Sequence, residues 1–144
     1  MTSTTIAILL GRKGSKGLPG KNVMPFLGRP APHYPILAAL NSKYVDRIFV
    51  TTDDMEIVAE ANKFNLDVII RPDELCTDEA LFEDALVHGY FEAKKVLGFQ
   101  PTYVVVLMCN ALTLDAAMID DAIEALEKDP KADSAVTTSV LNMY

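Results

Sequence analysis

Residues 6–22 read IAILLGRKGSKGLPGKN. Residues 6–10 are an apolar run without a polar interruption, which predicts a short strand buried on both faces. The run opens directly onto Gly11, Gly14, Gly17 and Gly20, with Arg12, Lys13, Lys16 and Lys21 between them. Glycine lets backbone N–H groups turn toward a ligand and lets a phosphate come close. Arginine clamps two oxygens at once, and lysine acts as a mobile point charge. Ser15 and Asn22 add hydrogen-bonding groups for a ribose, base or phosphate. The bend therefore reads as a cradle for a triphosphate. The plainer reading is a solvated cationic loop between a strand and a helix.

Outward from this bend, strands and helices alternate. Residues 47–52, RIFVTT, predict a second strand, 68–70 a third, 103–108 (YVVVLM) a fourth and 134–140 a fifth. Helices are predicted from about His33, over 55–64, over 79–97 and over 115–128, with Asp53 and Asp54 as N-cap candidates. Continuous apolar strands separated by helices predict an α/β fold, a doubly wound and mostly parallel sheet of Rossmann-like type. Ligands of such sheets sit outside the carboxyl ends of the strands. That rule nominates residues 11–22, 53–54, 71–78 and 109–115. No repeat, low-complexity tract or linker interrupts the chain, so residues 1–144 are expected to form one nucleotide-binding domain. The apolar close of the chain predicts that it is the N-terminal part of a longer protein, C-terminally truncated.

Composition narrows the function. Half of the 144 residues are apolar and 23% are charged, which excludes a disordered tail. Cys76 and Cys109 are too few for a disulfide framework or a cysteine-rich zinc site. No apolar run is long enough to span a bilayer, and the first residues are a poor signal peptide, so no membrane partner and a cytoplasmic location are expected. Net charge is −7, but the first 45 residues contain no Asp or Glu and six Lys or Arg. A cationic island on an acidic body suits a compact anion, and nucleic acid is not expected as a partner.

Two common phosphate motifs fail on spacing. G-x-G-x-x-G requires a two-residue first step, and G-x-x-x-x-G-K-[ST] requires a glycine where Ser15 stands and a hydroxyl where Asn22 stands. Residues 12–22, RKGSKGLPGKN, instead resemble the R-x-G-S-K-x-x-x-x-K-N signature of the CMP-sugar synthetases. These are the cytidylyltransferases that activate sialic acid and related nonulosonic acids, with CMP-Kdo synthetases as more distant cousins. The resemblance continues through residues 42–64, SKYVDRIFVTTDDMEIVAEANKF, and through 67–78 with Arg71-Pro72, Glu74-Leu75 and Asp78.

The resemblance implies a fold of nucleotide-diphosphosugar transferase type and a nucleotidyltransferase activity. A sugar-acid hydroxyl would attack the α-phosphorus of CTP and expel pyrophosphate. Arg12 and Lys21 would be catalytic, contacting the triphosphate. Gly14, Ser15, Lys16, Asn22 and Arg71 would bind the nucleotide. Mg²⁺ would bridge phosphate oxygens, with the family's metal-binding aspartates lying beyond Tyr144. A homodimer is implied as well. The sequence departs from the family in one loop. Where sialic-acid enzymes read like Q-P-T-S-P-L-R, Met108 to Leu114 here read MCNALTL, without the polar sugar contacts. Ala80 is kept, but Leu81 and Phe82 are bulky.

Elsewhere the plainer readings lead. Asp53 and Asp54 are better read as helix caps than as ligands. His33 and His88 have no partner at metal or triad spacing and read as structural. Cys109 has no evident base, so no thiol nucleophile is expected. Lys94 and Lys95 suit the negative end of their helix. Three functional readings follow: a cytidylyltransferase acting on a sialic acid-like sugar acid; a degenerate, non-catalytic nucleotide-binding module of the same fold; and a different nucleotidyltransferase or a Rossmann-type cofactor protein.

Overall fold

The computed structural model describes residues 4–14, 18 and 20–138. Strand β1, Thr5–Leu10, is buried along its whole length. A strand with no wet face needs neighbours on both edges and cover on both sides. Its edges pair in parallel with β4, Val45–Thr52, and with β6, Tyr103–Met108. Strand β5, Asp67–Ile70, adds outside β4, giving a four-stranded parallel sheet in the order β5-β4-β1-β6. The predicted strands at 6–10, 47–52, 68–70 and 103–108 are all present.

Helices cover both faces. On one side lie α1 (His33–Leu40), α2 (Met55–Asn62) and α4 (Ala116–Lys128), whose Ile36, Ala39, Ile57, Ala61, Ile119 and Ile123 pack on Ala7, Leu9, Ile48, Val50 and Leu107. On the other side α3 (Phe82–Leu97) packs Ala85 and Ala93 on Ile6, Ile8, Leu10, Phe49 and Ile69. Helix α3 settles close to the sheet at Gly89, where an added Cβ would stand 3.2 Å from Thr51 Cγ2 and 3.5 Å from Ile8 Cγ2.

Local chemistry fixes the helix ends. Asp54 caps α2 by accepting from the Glu56 N–H at 3.0 Å, and Asp115 caps α4 by accepting from the Met118 N–H at 2.9 Å. Gly98, at φ +75°, ends α3 in the left-handed conformation. Helix α3 starts three residues later than the periodicity of 79–97 predicts. Thr77 holds residues 77–80 in a turn, accepting from the Ala80 N–H through both Oγ1 and its carbonyl. His33 Nε2 lies 2.6 Å from Glu60 Oε2, tying α1 to α2. Burial alone would raise the Glu60 carboxyl, but hydrogen bonds with Lys63 and His33 outweigh it and hold the group below its ordinary value. Asp120, also buried, accepts from Ser42 Oγ at 2.6 Å and the Lys43 N–H at 3.0 Å and joins α4 to the segment before β4.

Two features depart from the sequence reading. A small hairpin, β2 (Pro25–Phe26) and β3 (Arg29–Pro30), turns through Leu27 at φ +47° and Gly28 at φ +81°. The expected fifth strand at 134–140 does not form over 134–138; positions 139 and 140 lie outside the described residues. Residues 134–138 are exposed and have no ladder partner, and a strand exists only through its pairing. Residues 133–137 instead line one side of an ≈850 Å³ groove against β6 and α4. No helix among the described residues is long and apolar enough to cross a membrane.

The close seating of α3 is testable. Gly89→Val should overpack the α3–sheet contact and lower stability by about 1–3 kcal/mol, read from the midpoint of urea unfolding at unchanged slope.

Candidate functional site

The chain runs from β1 to β4 to β5 in one direction along the sheet, then returns through α3 to place β6 on the far side of β1. The carboxyl ends of β1 and β6 thus flank the point where strand order reverses, the place where open parallel sheets form a crevice. Main-chain bonds continue past the strand ends there: the Gly11 N–H donates to the Thr51 carbonyl at 3.3 Å, and the Cys109 N–H to the Leu10 carbonyl at 3.1 Å. Across β4, the Arg71 N–H donates to the Thr52 carbonyl at 2.9 Å.

Gly11 is a glycine for lack of space. A Cβ there would stand 2.5 Å from Cys109 Sγ and 2.6 Å from Ile57 Cδ1. This contact seals the base of the loop and leaves Cys109 buried, which pushes its thiol up to about 12. Beyond it, Gly14 at φ +77° and Gly20 at φ +70° occupy the left-handed region. Asn22 Nδ2 donates to the Arg12 carbonyl at 2.9 Å and folds the bend back on itself. Asp53 Oδ1 accepts from the Lys13 N–H at 2.8 Å, so the end of β4 also holds the bend.

A cleft of ≈190 Å³ opens at this point. Arg12, Lys21 and Asn22 line one wall. Leu75, Ala80, Leu81 and Phe82 line the other, and Met108 and Asn110 close the β6 end. Arg71 lies in the lining too, 6% exposed, and its Nη2 donates to the carbonyls of Thr51 at 3.0 Å and Gly11 at 3.3 Å. Its Nε is buried with no hydrogen-bond partner among the described residues. Burial lowers the Arg71 guanidinium below its ordinary value, with the neighbouring Cys76 and Asp53 pulling the other way. Arg12 Nη1 donates to Asp78 Oδ1 at 3.1 Å and approaches the Thr77 carbonyl at 3.4 Å. Three cationic side chains therefore converge on a small crevice, an arrangement suited to a compact polyanion.

Of the residues singled out in the sequence, Arg12, Lys21, Asn22 and Arg71 meet at this cleft, and Gly14 lies on the bend above it. Ser15 and Lys16 lie outside the described residues. Asp53, read in the sequence as a helix cap in preference to a ligand, instead holds the bend, and no sequence pattern assigns a role to Asp78 or Asn110. Asp53 and Asp78 act on the bend from 40 and 66 residues away, a separation that no local pattern reveals.

A parallel sheet with a cationic crevice at its reversal point defines an open-sheet α/β protein whose ligand site lies at the strands' carboxyl ends. The chain belongs to the cytidylyltransferase family, whose sequence model matches residues 6–143. It is 36% identical over 105 residues to an N-acylneuraminate cytidylyltransferase of Escherichia coli, covering 71% of this chain and 25% of that protein. It is 30% identical over 119 residues to a pseudaminic acid cytidylyltransferase of Campylobacter jejuni, covering 83% of this chain and 51% of that one. Its fold matches a CMP-2-keto-3-deoxy-manno-octonic acid synthetase solved with CTP, at a TM-score of 0.72 and 21% identity, over 90% of this chain and 49% of that structure. The chain thus spans about half, or less, of the relatives it matches.

Two outcomes test this geometry. Gly11→Ala should cost about 1–3 kcal/mol by forced overpacking. Cys109→Ala should restore part of that loss in a double-mutant cycle measured by chemical denaturation, because it removes the sulfur. Cys109 should also resist a thiol reagent at pH 8 in the folded protein, where burial shields the sulfur and disfavours the thiolate. In denaturant it should react at the rate of a free cysteine, as followed by absorbance.

Proposed function

We propose that the chain provides the CTP-binding part of a cytidylyltransferase that transfers CMP to a sialic acid-like nonulosonic acid and releases pyrophosphate. The carrying observation is the convergence of Arg12, Lys21 and Arg71 on the cleft at the carboxyl ends of β1 and β6. The names of the relatives, which act on N-acylneuraminate and pseudaminic acid, support the acceptor class. The relatives' naming as transferases also weighs against the degenerate-module alternative.

In this reading, residues 1–144 form one nucleotide-binding domain. Arg12 and Lys21 hold the triphosphate, with Lys21 offsetting negative charge that builds at the α-phosphate. Gly14, Ser15 and Lys16 line the phosphate turn. Asn22 keeps the bend closed, and Arg71 supplies fixed positive charge beneath it. The acceptor hydroxyl gives up its proton to solvent and its oxygen bonds to the α-phosphorus as the bond from that phosphorus to the bridging oxygen breaks, and pyrophosphate leaves with the electron pair. Catalysis of this kind rests on positioning and on stabilising charge that develops in the transition state. Met108, Leu81 and Phe82 present an apolar wall, and Asn110 is its polar neighbour, so acceptor contacts differ from those of the sialic-acid enzymes.

Mg²⁺, a cytoplasmic location and a homodimer belong to the same proposal. A manganese complex of a structural neighbour from Mycobacterium tuberculosis is consistent with a divalent ion in this fold. Among the described residues no group of three His, Cys, Asp or Glu side chains could hold a metal, so no step here is routed through one.

Titration calorimetry with the four ribonucleoside triphosphates should show CTP binding most tightly. Lys21→Ala should weaken CTP binding at least tenfold, a loss of about 1.4 kcal/mol. Equal affinity for all four, unaltered by that substitution, would overturn the proposal.

A further inference from the structure

We infer that the Arg12–Asp78 ion pair is a clasp across the mouth of the cleft, in which the Asp78 carboxylate occupies Arg12 until phosphate oxygens replace it. The inference rests on the proposed nucleotide reading of this cleft, which it deepens.

Three observations carry it. The first is position. Arg12 leaves the phosphate-side wall and ends on Asp78 and Thr77, in the turn that leads to Ala80, Leu81 and Phe82 on the opposite wall. A guanidinium nitrogen therefore joins the two walls. The second is chemistry. A carboxylate and a phosphate present the same kind of oxygen to guanidinium, so one exchanges for the other at the same N–H groups. The main chain of Arg12 is held independently by Asn22, so the side chain can change partners without unravelling the bend. The third is size. The cleft measures ≈190 Å³. Pockets that enclose a small organic ligand run from about 300 to 1,000 Å³. The mouth has to widen to admit a nucleoside triphosphate, and the 77–80 turn is the part of the wall that Arg12 holds.

The pair is weak enough to exchange. Both side chains are more than a third exposed, at 36% and 38%. Water screens such a pair, and a polyanion of higher charge outcompetes a single carboxylate for the same guanidinium. Asp78 thus raises the charge that a ligand must bring before the cleft opens.

The experiment uses inorganic tripolyphosphate as probe, so that it does not depend on recognition of the base. Asp78→Asn should bind tripolyphosphate about two- to fivefold more tightly than the unaltered chain, the range set by an exposed ion pair. In an Arg12→Gln background the same substitution should tighten binding clearly less, because there is no guanidinium to release. A tightening undiminished by the loss of Arg12 would mean a charge effect that does not pass through the pair, and would overturn the clasp. Unchanged or weaker binding in Asp78→Asn would mean that the carboxylate is a fixed buttress, and would overturn it equally. As a second measurement, tripolyphosphate should accelerate hydrogen exchange at residues 77–81 of the unaltered chain; protection there would also overturn the clasp. Failure of the CTP reading is separate: it would appear as equal affinities for all four nucleotides while the tripolyphosphate results stand.

Discussion

Strand β1 has no residue exposed to water, and the architecture follows from covering it. Its six residues are buried on both faces, so helices must lie above and below the sheet. Chain connectivity supplies this by running β1, β4 and β5 outward under α1 and α2, and then returning over the opposite face through α3. The return places β6 beside β1, so two strands that diverge in connection end side by side. The crevice is a by-product of burying β1, and the glycine bend leaves the sheet there because β1 ends there.

Three charged side chains stand in an otherwise largely apolar crevice, and main chain holds the most buried of them. Arg71 is fixed by carbonyls of two neighbouring strand ends, and no carboxylate bonds it among the described residues. Asp53 takes a backbone N–H of the bend, and Asn22 takes a backbone carbonyl of it. The bend is anchored through its peptide groups at Arg12 and Lys13, while the Arg12 guanidinium reaches across to Thr77 and Asp78.

Much of this was legible in the sequence because it depends on local chemistry. Apolar runs of strand length mark strands buried on two faces. Asp54, a cap candidate in the sequence, precedes its helix where a cap belongs. The rule that ligands collect beyond strand carboxyl ends nominates residues 11–22, 53–54, 71–78 and 109–115, and Arg12, Lys21, Asn22, Arg71, Leu75 and Asn110 from these stretches line one crevice. The departures have physical causes too. The hairpin at 25–30 has two residues per strand, too few for alternation, and it turns through Leu27 in a conformation that leucine seldom adopts. The start of α3 gave way to the Thr77 turn, which competes for the same backbone groups. A strand over 134–138 needs a neighbour that sequence pattern alone does not provide. The ion pair between Arg12 and Asp78 spans 66 positions and leaves no periodic trace.

The two rims of the sheet are unlike one another. On the outer side β5 has only four residues, and its Asp67 forms a two-pronged bond with Arg47, Nε at 2.6 Å and Nη2 at 3.0 Å. That short, charged border discourages stray pairing. Among the described residues β6 is the other border, and its YVVVLM run has neither charge nor proline, with Val104, Val106 and Met108 partly open to water. Such a flank is a template for amyloid-like stacking. Concentrated preparations of this chain should cloud from that side first, and a lysine placed at Val106 would act as a gatekeeper against it.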